Sequence, residues 1–141
     1  WSSDVCSSDL ELDVDWMGDT EGRWRKYSTG TKYQKADRTY YTDEWAKIKG
    51  EWYYFGSDSY MKTGWIQLAG TWFYLENDGK MSTGWEQINN VWYYFNNSGA
   101  MQTGWVQTKP GYWYYLNSDG AMLCNTVVEG HQLNADGLMI N

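Results

Sequence analysis

Apolar and polar positions alternate along this chain in short paired stretches. From Trp65 to Leu75 it reads WIQLAGTWFYL, with Ala69-Gly70 between two such stretches. Two residues ending in Gly between alternating runs mark a β-hairpin. A turn at 69-70 sets Leu68 opposite Thr71, Gln67 opposite Trp72, Ile66 opposite Phe73 and Trp65 opposite Tyr74. Side chains alternate between the faces of a strand. Trp65, Gln67, Trp72 and Tyr74 therefore share one face, and Ile66, Leu68, Phe73 and Leu75 the other. A slip of one residue would exchange the two faces.

The hairpin recurs. Trp45, Trp65, Trp85 and Trp105 fall at a period of 20 residues, and Trp52, Trp72, Trp92 and Trp113 mark a second register that slips by one in the last copy. Lys49-Gly50 and Asn89-Asn90 occupy the place of Ala69-Gly70, while Lys109-Pro110-Gly111 lengthens the fourth loop by one residue. A second turn follows at Asn77-Asp78-Gly79, Asn97-Ser98-Gly99 and Ser118-Asp119-Gly120, where Gly permits a positive φ. Met61, Met81, Met101 and Met122 return at the same spacing. A fixed period of this size signals a repeat architecture. The pattern predicts an all-β fold, a solenoid of stacked β-hairpins with one hairpin per twenty-residue copy.

The copies divide the chain. Residues 1–15 form a disordered or non-native leader, 16–44 a degenerate leading repeat, 45–125 four tandem repeats and 126–141 a C-terminal cap. WSSDVCSSDL resembles a translated sequencing-adaptor remnant as much as an ordinary disordered terminus, and is set aside from fold reasoning. Within 22–44, Trp24 and Tyr27 are expected on a strand with Ser28-Thr29-Gly30 as its turn. The tail run Leu133 to Met139 echoes Leu116 to Met122, but Gly130, His131 and Gln132 stand where Trp113, Tyr114 and Tyr115 stood. Atypical units at both ends are what a repeat array requires.

Composition supports stacking over a single large core. Aromatic residues make up 19% of the 141, with 11 Trp and 13 Tyr, so aliphatic residues are scarce. Length alone fits one domain. The net charge of -7 disfavours nucleic acid and suits a positively charged partner. The basic and aromatic mix of residues 22–44 is too loosely spaced to reverse that. No apolar run is long enough for a membrane span. No signal peptide is visible at the start, so a secreted protein would be represented by a fragment or mature piece.

Catalytic chemistry finds little support, and a non-enzymatic module is expected. There is one histidine, His131, and no recurring pair of acids suited to general acid/base work. Neither a metal site nor a cofactor is expected. Of the two cysteines, Cys6 lies in the leader and Cys124 stands where other copies have Thr63, Thr83 and Thr103. A disulfide between them is not favoured.

The Trp/Trp/Tyr face carries the chemistry. It recurs as Trp85, Gln87, Trp92 and Tyr94, and as Trp105, Gln107, Trp113 and Tyr115; the copy from Trp45 has Lys47 in place of the Gln. Aromatic rings attract a cation over their faces. A quaternary ammonium suits such a box because it has no hydrogen bond to lose. The rings could equally pack between repeats, and the residues alone leave both readings open. For Tyr53, Phe73, Tyr93 and Tyr114, on the opposite face, packing is favoured.

The unit built of Gly64-Trp65, Trp72-Phe73-Tyr74, Gly79, Met81 and Thr83-Gly84 resembles the choline-binding, or cell-wall-binding, repeat of Gram-positive surface proteins, autolysins and phage lysins. The likeness runs from Trp45 to about Asn125 in four copies. It implies a β-solenoid whose aromatic cages hold choline or the phosphocholine of cell-wall teichoic acids, in a secreted protein of the cell wall or cell surface. The family's cage is two Trp from one repeat, a Tyr from the next and often a Met. Carried over, the cages are Trp45, Trp52 and Tyr74 with Met81; Trp65, Trp72 and Tyr94 with Met101; and Trp85, Trp92 and Tyr115 with Met122. Trp105 and Trp113 meet Gln132 where a Tyr is wanted, which implies a weak or incomplete site. Two alternatives remain: a glucan- or carbohydrate-binding repeat module, since related repeats bind glucans, and the targeting tail of a cell-wall hydrolase whose catalytic part is absent.

Overall fold

A computed structural model of the protein describes residues 22–141. The sequence expectations that fall on residues 1–21, including the leader and Cys6, lie outside the described residues. Every strand pairs with its sequence neighbour. The hairpins are β1 (Arg23–Tyr27) with β2 (Gly30–Gln34), β3 (Glu44–Ile48) with β4 (Glu51–Phe55), and β5 (Gly64–Leu68) with β6 (Thr71–Leu75). They continue with β7 (Gly84–Ile88) and β8 (Val91–Phe95), β9 (Gly104–Lys109) and β10 (Tyr112–Leu116), and β11 (Thr126–Val128) and β12 (His131–Leu133). No helix occurs among the described residues.

The hairpin turns set the register. At Lys49-Gly50, Ala69-Gly70 and Asn89-Asn90 both residues have positive φ, from 50° to 87°. Positive φ at both central positions defines the type I′ turn, whose twist matches the flanking strands. Trp45 then faces Tyr54 and Lys47 faces Trp52; Trp85 faces Tyr94 and Gln87 faces Trp92. In β9 and β10 the extra residue becomes a bulge at Tyr112/Trp113, leaving Gln107 opposite Trp113 and Trp105 opposite Tyr115. The bulge keeps the aromatic face intact despite the longer copy. In the leading hairpin the turn is Ser28-Thr29, and Gly30 already belongs to β2.

Each hairpin is followed by a compact loop. In the copy after β8, the Asn96 amide donates to the Ala100 carbonyl at 2.9 Å and the Gly99 amide to the Asn96 carbonyl at 2.9 Å. The Asn96 side-chain oxygen accepts from the amides of Ser98 and Ala100 at 2.9 and 3.0 Å. Asn117 and Asn134 do the same in their loops. This is the local side-chain-to-backbone bonding that makes Asn a turn residue. The loop ends at a methionine bridged to the preceding strand, as in Phe95 with Met101 and Leu116 with Met122.

The described residues fall into two compact units. One ends at Gly64 and takes in Leu75–Met81; the other comprises Trp65–Tyr74 and Ser82–Asn141. In the first, Ala46, Ile48, Tyr53 and Phe55 form a buried cluster against Trp24, Tyr33, Tyr41 and Met61. In the second, Phe95, Leu116 and Leu133 are fully buried. In the second unit each of these buried residues comes from a different copy. Among the described residues, no helix is long and apolar enough to cross a membrane.

Candidate functional site

Alternation sends Trp92 and Tyr94 to one face of their hairpin and Tyr93 to the other. The face bearing Tyr93 looks back at the preceding copy. Its ring stands 4.9 Å from that of Trp65, edge-on at 73°, and Phe95 lies 5.8 Å from the same indole. Within their own hairpin, Trp65 and Trp72 are 6.0 Å apart at 87°. The perpendicular pair and the incoming Tyr make three sides of a box. Met101 makes a fourth: its amide donates to the Trp72 carbonyl at 2.9 Å, which ties one copy to the next.

A cavity of about 360 Å³ lies at this junction, lined by Trp65, Trp72, Tyr93, Met101, Ser118 and Asp119. Ser118 and Asp119 come from the loop after β10, so three successive copies contribute. The close approach of that loop requires glycine. At Gly120, with φ +86°, an added Cβ would lie 2.4 Å from the Met101 sulfur. Trp72 is 39% exposed, so one indole wall stays open to solvent. The site therefore has aromatic faces, a polarizable thioether and one carboxylate, and no cationic side chain among its lining residues.

The arrangement repeats one copy later. Trp85 and Trp92 are 6.3 Å apart at 88°, and Tyr114 stands 4.9 Å from Trp85. The Met122 amide donates to the Trp92 carbonyl at 2.9 Å. Burial first, then Tyr112 and the charge of Asp136, push the Tyr114 hydroxyl above its ordinary pKa. Asp136 holds the loop position of Asp119, and the neighbouring Gly137 sits over Met122.

The ring brought by the following copy differs from the sequence expectation. Tyr74, Tyr94 and Tyr115 lie against Trp65, Trp85 and Trp105 of their own hairpins, at 5.2, 5.0 and 5.1 Å. Tyr93 and Tyr114, assigned to packing, are the rings that reach the preceding Trp. The reason is geometric: the front face of one hairpin meets the back face of the next. At the Trp45 copy, Trp52 is 40% exposed and its carbonyl accepts from the Met81 amide at 2.9 Å.

At the last Trp pair, His131 occupies the slot of Tyr93 and Tyr114, 5.5 Å from Trp105 and edge-on at 85°. The Trp105 indole N–H donates to Glu129 Oε1 at 2.8 Å. The Met139 amide donates to the Trp113 carbonyl at 2.9 Å. Gln132, expected at this place from the sequence, is the counterpart of Tyr94 and Tyr115, whereas His131 is that of Tyr93 and Tyr114.

The chain is similar to proteins of one known family. The profile of the choline-binding repeat matches residues 42–83 and 82–126. The chain belongs to the choline-binding repeat family. Choline binding protein F from Streptococcus pneumoniae is similar at 34% identity and a TM-score of 0.80, over 96% of this chain and 48% of that one. The same protein in the presence of a peptidoglycan analogue matches at 37% identity and a TM-score of 0.80, over 94% and 43%. The multimodular pneumococcal cell wall endolysin from phage Cp-1, complexed with choline, matches at 35% identity and 0.64, over 93% and 40%. The chain thus spans less than half the length of these relatives. No curated protein sequence matches it. As in its family, the chain is built of choline-binding repeats with recurring aromatic clusters. Among the described residues, no group of three or more His, Cys, Asp or Glu could hold a metal ion. Cys124 is exposed and free.

Proposed function

We propose that this chain is a non-catalytic attachment module that holds the trimethylammonium group of choline in cages of Trp, Trp, Tyr and Met. The observation that carries the proposal is the cavity at Trp65, Trp72, Tyr93 and Met101, with Asp119 at its rim. The methylated nitrogen would sit among the ring faces, where the quadrupoles of the indoles and the phenol favour it. Asp119 adds a negative charge that a sugar ring would not need. Trp85, Trp92, Tyr114 and Met122 form the second cage, with Asp136 in the place of Asp119. Trp45, Trp52 and Met81 are the corresponding residues of the copy before these two. Trp105 and Trp113, with His131 and Glu129, form a weaker cage.

In the cell the ligand would be the phosphocholine of wall teichoic acids, which places the protein, secreted, at a Gram-positive cell wall. The pneumococcal relatives support that setting. Their greater length is consistent with a module that localises a larger protein, a wall hydrolase included.

Trp fluorescence titrated with choline, and in parallel with glucan oligosaccharides, tests the proposal. Choline should give a saturable change in the millimolar range, where binding supplies about 4 kcal/mol. A glucan response without a choline response would refute it.

A further inference from the structure

The leading repeat contains a second kind of aromatic box. Lys32 Nζ lies 5.6, 5.2 and 4.7 Å from the ring centroids of Tyr27, Tyr40 and Tyr60. All three distances fall within the range of cation–π attraction. The rings are fixed by one another: Tyr27 and Tyr60 meet edge-on at 6.3 Å and 89°, and the hydroxyls of Tyr27 and Tyr40 are 3.2 Å apart. The Tyr60 hydroxyl is bonded to Thr29 Oγ1 at 2.5 Å. Lysine and tyrosines alike are half-buried.

This box is a rearrangement of the repeat. Lys32 pairs with Arg25 as Tyr53 pairs with Ala46 and Tyr93 with Glu86, so a lysine fills the ring slot. Tyr40 bridges Gln34 as Met61 bridges Phe55, so a ring fills the methionine slot. Tyr60 stands where later copies have Lys80, Ala100, Ala121 and Leu138. A cation has thus moved into the repeat together with the rings to receive it. Lys32 lies as close to Tyr60, at 4.7 Å, as the lone Lys35 lies to Tyr41, and it has two further rings around it.

We infer that the Tyr27/Tyr40/Tyr60 box is a further quaternary-ammonium site, closed in this chain by its own Lys32. The side chain acts as a tethered ligand. Free choline cannot compete at ordinary concentrations, because the tethered ammonium has a high effective concentration. The box therefore takes no free choline while Lys32 fills it. The inference rests on the reading that the Trp cages take quaternary ammonium.

Two measurements on the whole chain test it. In the first, NMR of the unmodified protein should show the Lys32 ε-methylene protons shifted upfield of the other lysines by the three rings. Unshifted ε protons would overturn the inference whatever the Trp cages bind. In the second, equilibrium dialysis should count one more choline per chain in Lys32→Ala than in the parent. Lys32→Met, which refills the box with an uncharged chain, should match the parent count. Equal counts in parent and folded Lys32→Ala, with choline bound at the Trp cages, would overturn the tethered-ligand reading. Absence of choline binding to the parent would instead count against the Trp cages, and the lysine shifts would still decide the box. Should Lys32→Ala fail to fold, the same shifts decide.

Discussion

Replacing Tyr93 by Leu separates the two rings that sequence reasoning and structure assign to the same wall. Tyr93 faces Trp65 at 4.9 Å from the following copy, while Tyr94 faces Trp85 at 5.0 Å in its own hairpin. Leucine keeps most of the apolar bulk and removes the π face. One ring of a partly desolvated cage contributes about 1–2 kcal/mol to cation binding. The dissociation constant at this cage should therefore rise roughly five- to thirty-fold. The lost ring pair should also lower stability by about 0.5–1.5 kcal/mol. The assay is a choline titration of protein labelled with fluorotryptophan, followed by fluorine NMR at each assigned indole. In Tyr93→Leu, Trp65 and Trp72 should respond only at the higher choline concentration, and Trp92 should respond as in the parent. In Tyr94→Leu, the Trp65 and Trp72 responses should stay put. If Tyr94→Leu weakens the Trp65 response and Tyr93→Leu does not, the front-to-back packing argument is wrong.

Three further outcomes follow from the same geometry. Gly120→Ala places a Cβ 2.4 Å from the Met101 sulfur at φ +86°; it should cost about 1–3 kcal/mol in a urea melt and weaken choline at Trp65/Trp72. Asp119→Asn should weaken the same cage several-fold at low salt, and the difference should shrink as ionic strength rises. Burial, first, and the bond to Tyr40 push the Tyr27 pKa up to about 12. Its neutral form is thus favoured in the folded state. Its contribution is complete below pH 10 and is lost as pH rises to 12, so Tyr27→Phe should flatten the decline of melting temperature over that window.

Much of the fold was legible because one short sentence recurs. The Trp period gave the hairpins, and Asn89-Asn90 and Ala69-Gly70 fixed their register. Pairs such as Gln87 with Trp92 follow from that turn alone. The partner of the aromatic face was not legible in the same way. Alternation within one hairpin says which residues share a face, but not which face of the next hairpin they meet. Tyr94 was therefore expected at the wall that Tyr93 occupies. Asp119 was legible only as a turn residue, because it lies two copies from Trp65, beyond a nearest-neighbour view of the repeat. His131 stands in the ring slot without being an aromatic of the expected kind. Lys32 was visible only as part of a basic stretch, since nothing in its spacing shows that three tyrosines converge on it.

The most direct test of the central claim is a crystal grown with arsenocholine, whose arsenic replaces the quaternary nitrogen and scatters anomalously. The account predicts an arsenic peak within about 6 Å of the ring centroids of Trp65, Trp72 and Tyr93, beside Met101, and an equivalent peak at Trp85, Trp92 and Tyr114. Arsenic absent from both cages, or found only away from the Trp pairs, would contradict it.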